Sequence, residues 1–197
     1  MNAPLEFWFE FASTYSYPAA MRIEDAARAA GVPLVWKPFL LGPIFAAEGW
    51  NDSPFNVYPV KGRYMWRDLE RICARLHLPF RRPTRFPRNG LLAARVAVLG
   101  ADQAWGPAFV RAVYQANFVD DRDIADPGVV SELLARLGAP GVLEAAQATE
   151  NKDRLRRQTE AAVALGIFGA PSFVSRGELF WGNDRLEEAL AWHRRAA

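Results

Sequence analysis

The side chains best placed to do chemistry lie in Phe11-Ala12-Ser13-Thr14-Tyr15-Ser16-Tyr17, where the apolar and aromatic run from Leu5 to Phe11 breaks at Ser13 into small and polar residues. Beyond the break, Tyr17, Met21, Ile23, Ala26, Ala27 and Ala30 follow a helical period that ends near Gly31. Ser13 therefore falls where a strand stops and a helix begins. The unpaired amides of a first helical turn and the positive end of its dipole favour an anion, so a thiolate or a carboxylate has a place to dock there. Ser13 can also serve as an N-cap, accepting a hydrogen bond from a first-turn amide, and the local sequence leaves both roles open.

A sulfur that reacts at this place has to arrive with a ligand. Ser13 and Ser16 stand where a Cys-x-x-Cys pair would open the helix of a redox protein, and Cys73 is the only cysteine, so the chain cannot exchange a disulfide by itself. Cys73 belongs instead to an apolar stripe with Tyr64, Met65, Leu69, Ile72 and Leu76, as a small hydrophobe. His77 and His193 have no partners at ligand spacing and read as solvated or capping residues. Lys61, Arg63 and Arg88 are candidates to receive the carboxylate of an acidic substrate, with Arg88 in a local basic cluster with Arg81, Arg82 and Arg85. Phe11, Tyr15, Trp50 and Trp66 can wall a pocket for a flat ligand or pack as ordinary core.

The elements that must position these groups follow from pattern. Leu34 to Phe39 reads as a second strand, so strand, helix and strand form a parallel β-α-β unit. Gly42-Pro43 closes that strand, Ile44 to Glu48 makes one helical turn, and Gly49 to Pro59 is a polar loop. Helices are expected over 61–77, 89–99, 107–118, 126–137 with Asp126 as cap, 141–147 and 151–165. The framework resumes with a hairpin, Ser172 to Ser175 and Glu178 to Trp181 around Arg176-Gly177, entered through Pro171, and ends in a helix capped by Asn183 or Asp184. The expected fold class is α/β, a βαβ…ββα framework formed by 1–48 and 166–197 with an all-helical segment, 49–165, inserted between them.

Composition narrows the function. At 197 residues, 51% of them hydrophobic, the chain has length for one well-packed domain with an insertion. A net charge of +2 from 24 basic and 22 acidic residues gives no footprint for nucleic acid, and no apolar stretch is long enough to span a membrane. A single cysteine and a start that enters strand-like sequence without a basic region or an apolar core place the expected compartment in the cytoplasm.

Four segments carry a resemblance: Phe11 to Tyr17, Tyr58-Pro59-Val60-Lys61-Gly62-Arg63-Tyr64-Met65, Gly166-Ile167-Phe168-Gly169-Ala170-Pro171-Ser172-Phe173, and Leu179 to Arg185. In this order they resemble the DsbA-like branch of the thioredoxin fold, and more closely the glutathione-dependent 2-hydroxychromene-2-carboxylate isomerases and the related kappa-class glutathione transferases. The resemblance implies a thioredoxin-like domain that binds glutathione and a helical segment that roofs the pocket of the second substrate, a small aromatic carboxylate. It implies that Ser13 contacts the glutathione sulfur and that Lys61 and Asn51 hold its backbone or a carboxylate. It also implies that Ala170, before a cis-Pro171, pairs with the cysteinyl unit, while Asn183 and Asp184 bind the γ-glutamyl end. Thr14 departs from the family, which usually has proline there. The reaction implied is reversible thiolate addition that interconverts a chromene-type hemiketal and a trans-benzylidenepyruvate, without a metal. A kappa-class transferase and a non-catalytic thioredoxin-like binding module are the alternatives, and relatives imply a homodimer.

Overall fold

The computed structural model describes residues 3–195. Leu5–Phe9 forms β1, Ser16–Ala30 α1 and Leu34–Pro38 β2, with β1 and β2 parallel in register Leu5 to Leu34 and Phe9 to Pro38. Near the other end, Ser172–Ser175 and Glu178–Trp181 form the antiparallel pair β3 and β4, and β3 lies antiparallel to β1. The sheet order is β2-β1-β3-β4, so β1 is an inner strand. This explains its near-continuous apolar run: Leu5, Phe7 and Phe9 face a core shared with α1, while Trp8 packs on the opposite face with Phe39, Ala162, Ile167 and Val174. The hairpin turn is as expected, since Arg176 and Gly177 both take positive φ, 52° and 84°, the conformation that a two-residue turn between twisted strands requires.

Between β2 and β3 come Leu41–Ala47 (α2), Pro54–Val57 (α3), Pro59–Arg75 (α4), Leu91–Gly100 (α5), Gly106–Phe118 (α6), Pro127–Arg136 (α7), Val142–Gln147 (α8) and Thr149–Ala164 (α9). Leu186–Arg195 (α10) closes the described chain. Four expectations change. Gly42-Pro43 lies inside the first turn of α2 instead of closing a strand, because a first-turn proline gives up an amide that has no intrahelical partner anyway. The expected loop from Gly49 to Pro59 contains α3, capped by Ser53, whose hydroxyl accepts from the Phe55 amide at 3.3 Å. Asn183 and Asp184 do not cap α10. They lie in a single 3-10 turn, Asn183–Arg185, that leads straight into it, and the Asn183 side chain is already taken by Arg22. Asp126 does cap α7, accepting from the Gly128 amide at 2.7 Å. His193 is buried, with Nδ1 3.1 Å from the Ser175 hydroxyl, and so is a core residue and not a solvated one. Cys73 is buried on the apolar face of α4, where burial pushes its thiol up to about 11.

The apolar core runs without a break from the sheet into the helices, and α6 fastens the two where β1 ends. The Tyr114 hydroxyl donates to the Glu10 carbonyl at 3.0 Å, and Asn117 Nδ2 donates to the Phe11 carbonyl at 3.1 Å. Asn117 Oδ1 in turn accepts from Arg88, whose guanidinium also pairs with Asp121. Past Phe9, where β1 loses its ladder partners, Asn117 gives the Phe11 carbonyl a donor and Tyr114 adds a second donor to the Glu10 carbonyl, which also accepts the Ser13 amide at 3.0 Å.

Asn117→Ala strands the Phe11 carbonyl and one Arg88 contact together. It is expected to cost about 3 kcal/mol in urea unfolding, within the range for breaking a buried polar network. A loss below about 0.5 kcal/mol would show that α6 does not anchor the strand end.

Candidate active site

A cleft of about 1160 Å³ opens at the C-terminal end of β1. One wall is the turn from Glu10 to Tyr15, the segment Phe168 to Ala170 and the turn from Trp181 to Arg185; the other is formed by α2, α3, one face of α4 and the segment Phe86 to Leu91. Ser13, Asn51, Lys61, Ala170, Asn183 and Asp184 all line it. Pro171 is buried directly behind Ala170, is joined to it by a cis peptide, and accepts the Gly182 amide at 2.9 Å.

Ser13 lies two residues before the N-cap position of α1, which is Tyr15 and carries no side-chain cap, so Ser13 is not the N-cap itself. Its hydroxyl accepts from the Ser16 amide at 3.3 Å, at the start of α1, and donates to the Ala170 carbonyl at 2.8 Å, a contact between residues 157 apart in the chain. The oxygen thus borders the cleft with a hydrogen that can be redirected by rotation about the Cβ–Oγ bond, and with a helix start behind it. Thr14, the departure from the resembled family's proline, is buried and donates to Met65 Sδ at 3.1 Å, which ties the turn to α4.

Asn183 is buried, and its Oδ1 accepts from Arg22 Nε at 3.3 Å and from the terminal nitrogen at 3.2 Å, leaving the amide nitrogen as the donor on the cleft side. Asp184 is exposed beside it. The turn requires Gly182: φ is 115°, and a Cβ there would sit 2.6 Å from Asp184 Oδ1. Across the cleft, the Lys61 ammonium lies 5.8 Å from the centre of the Phe55 ring, and Asn51 is exposed in the bend before α3.

Several expectations are corrected. Arg88 borders the cleft but is buried, and its two terminal nitrogens are spent on Asn117, Thr84 and Asp121 instead of being open to a substrate carboxylate. Arg63 is exposed and outside the cleft lining. Phe11 and Trp66 are core, the latter packed edge-on against Phe86 at 4.9 Å, whereas Tyr15 and Trp50 do line the cleft. Two cleft groups were not singled out by sequence. Arg75 shares a face of α4 with Lys61, Asp68 and Ile72, at offsets of 7, 11 and 14 residues that a helical period would have grouped, and no ion pair holds it among the described residues. Glu10 lines the cleft with only 9% of its surface exposed, its Oε2 accepting the Ala12 amide at 2.9 Å. Burial pushes its carboxyl up to about 7, against the smaller opposing pull of the Ala12 and Ser13 amides. Its place within an apolar strand sequence hid it, because period alone does not tell a buried acid from a solvent-facing one. Tyr15 donates to Asp68 at 3.1 Å; burial, and then the Asp68 charge, raises its hydroxyl further above the usual range.

Comparisons with known proteins agree with this architecture. A family model described as a DSBA-like thioredoxin domain matches residues 4–191. A 2-hydroxychromene-2-carboxylate isomerase of Sphingobium xenophagum is 32% identical over 95% of this chain and 96% of its own length. Glutathione S-transferase kappa 1 of Homo sapiens is 26% identical over 93% and 87%. The solved structure of a selenomethionine-labelled 2-hydroxychromene-2-carboxylate isomerase superposes with a TM-score of 0.87 at 23% identity, covering 98% of this chain and 96% of that one.

The Glu10 carboxyl makes stability fall with rising pH. Its folded value near 7 lies above the ordinary 4.5, so the folded state binds the extra proton, and the penalty is absent below pH 4.5, grows through the interval and is complete above 7. That interval corresponds to roughly 3 kcal/mol. Urea unfolding of Glu10→Gln is expected to match the wild type in acid and to exceed it by about that amount above neutrality. A difference that does not change with pH would contradict the assignment.

Proposed function

The chain belongs to the DSBA-like thioredoxin domain family and, within it, to the family of the 2-hydroxychromene-2-carboxylate isomerases, and we propose that it is a glutathione-dependent isomerase of that reaction class. The observation that carries the proposal is the Ser13 hydroxyl, held 2.8 Å from the Ala170 carbonyl at a helix start inside the cleft. When bound, glutathione supplies a thiolate that adds reversibly to a conjugated double bond, allows rotation about it, and leaves unconsumed.

The residues present suit this ligand. An N–H donated to the Ala170 carbonyl by the cysteinyl unit competes with Ser13 for the same acceptor, so docking of the ligand backbone frees the Ser13 hydroxyl to donate to sulfur. Serine suits the place because it stabilises a thiolate without forming a mixed disulfide. The Asn183 amide and the first amides of its turn favour the γ-glutamyl carboxylate, and the Asp184 carboxylate favours the ammonium. Lys61 and Asn51, on the opposite wall, are assigned the remaining carboxylate and backbone. Arg75 is left for the carboxylate of the second substrate: it lies fourteen residues beyond Lys61 on one face of α4, about 21 Å along the helix, so the two cations serve different anions. Tyr15, Trp50 and Phe55 offer flat apolar surface to its aromatic ring. The proposal carries with it a cytoplasmic setting, where thiols stay reduced, and a homodimer.

A second reading, a kappa-class-like transferase, draws on the 26% identity to the human relative and uses the same groups. Total thiol decides between them: an isomerase leaves it constant over many turnovers, and a transferase consumes it. Ser13→Ala is expected to keep the fold, weaken calorimetric binding of reduced glutathione above neutral pH by about tenfold, the worth of one charge-assisted hydrogen bond, and cut turnover by at least as much. An active Ser13→Ala protein with an unchanged thiol titration would sink the site assignment. Arg75→Ala is expected to raise KM for a benzylidenepyruvate about tenfold while glutathione affinity stays put. Equal effects on both ligands would remove Arg75 from the substrate end.

A further inference from the structure

Stabilising a thiolate is only half of making one, because the proton has to go somewhere. Ser13 can donate to sulfur but, as a hydroxyl, does not take its proton near neutral pH. Both histidines lie outside the cleft lining. Of the four acids that line it, Asp52 accepts from the Ser53 amide at 2.6 Å and from Asn56 at 3.0 Å, Asp68 accepts from Tyr15 and Arg71, and Asp184 is 75% exposed. Only Glu10 is buried.

We infer that Glu10 is the proton acceptor that converts bound glutathione from thiol to thiolate beside Ser13. This rests on the glutathione reading above. Glu10 and Ser13 are parts of one turn, closed by the Ser13 amide donating to the Glu10 carbonyl at 3.0 Å. The wall opposite the carboxylate is Gly90, where an added Cβ would sit 3.1 Å from Glu10 Oε1 and 2.9 Å from Phe11 Cβ, so that wall carries no side chain against the acid. No lysine, arginine or histidine forms an ion pair with Glu10 among the described residues. From α6, Tyr114 spends its hydroxyl on the Glu10 backbone carbonyl; from the segment before α5, Arg88 is committed to Asp121 and Asn117; from the turn before α1 come the Ala12 and Ser13 amides, while the Tyr15 phenol is spent on Asp68. An acid so placed is held near the protonation midpoint that suits proton transfer at neutral pH.

The step balances without a further reactant. Glu10 takes the proton as the S–H bond breaks, the electron pair stays on sulfur, and an O–H bond forms on the carboxylate. Glu10 keeps the proton while the sulfur reacts and returns it when the ligand leaves as a thiol. The transfer is internal, so thiolate forms with little proton release to solvent.

The test counts protons. Wild type and Glu10→Gln, which removes a buried charge and is expected to fold, are titrated with reduced glutathione near pH 8 in two buffers of different ionisation enthalpy, and the thiolate is followed by its ultraviolet absorbance. S-methyl glutathione serves as the ligand without a thiol proton. Wild type is expected to release well under one proton per thiolate formed. Glu10→Gln is expected either to release about one per thiolate or to form at least about tenfold less thiolate, and with the methylated ligand the two proteins should agree. Equal thiolate and equal proton release in both proteins would overturn the role of Glu10 and leave the glutathione site standing. A wild type that binds no glutathione would overturn both.

Discussion

Everything in this protein hangs on how an inner strand, buried on both faces, is brought to a stop. Past Phe9 the ladder ends, yet the Glu10 and Phe11 carbonyls remain buried and need donors. The Ser13 amide reaches the Glu10 carbonyl from within the turn. Tyr114 joins it there and Asn117 supplies the Phe11 carbonyl, both from α6, a helix about a hundred residues away, and Arg88 with Asp121 braces Asn117 from behind. The same stop leaves the chain free to turn at Ala12-Ser13 and enter α1. The site is therefore the place where one element's polar backbone runs out and another's begins.

That geometry accounts for the mixed electrostatics of the cleft. Its Ser13 corner presents a helix start and a hydroxyl, both of which favour an anion, while Glu10 beside them is an acid whose own charge is disfavoured by burial. An uncompensated buried acid lowers stability above neutrality, and such a group in a cleft is a functional-site candidate. The cations divide by burial. Arg88, which looked available in a basic cluster, is a structural brace, whereas Lys61 and Arg75, on one face of α4, look into open space.

Ser13 shows why a hydrogen-bond partner cannot be read locally. Its contact with the Ser16 amide is short-range and stays within the turn that strand-to-helix patterning anticipates, although the N-cap position itself falls on Tyr15. Its bond to Ala170 joins the two ends of the chain and exists only because β3 pairs with β1. Asn183 makes the same point in reverse: a good N-cap type next to a helix, it is diverted by Arg22 of α1, and the backbone answers with a 3-10 turn.

What the sequence determined by itself is the set of elements and the ends of the site. Periodicity and turn chemistry are local, so β1, α1 with its Gly31 stop, the Arg176-Gly177 hairpin, the Asp126 cap and the buried Cys73 were legible, and so were the motif residues that converge on the cleft. The tertiary structure alone decided which charges are spent and which are free. Burial of Glu10, capture of Arg88 by Asp121, the exclusion of Trp66 and the exposure of Arg75 on the cleft face all depend on what packs opposite each residue. The cost of a charge is set by that surrounding dielectric and by partners distant in sequence, neither of which local pattern encodes.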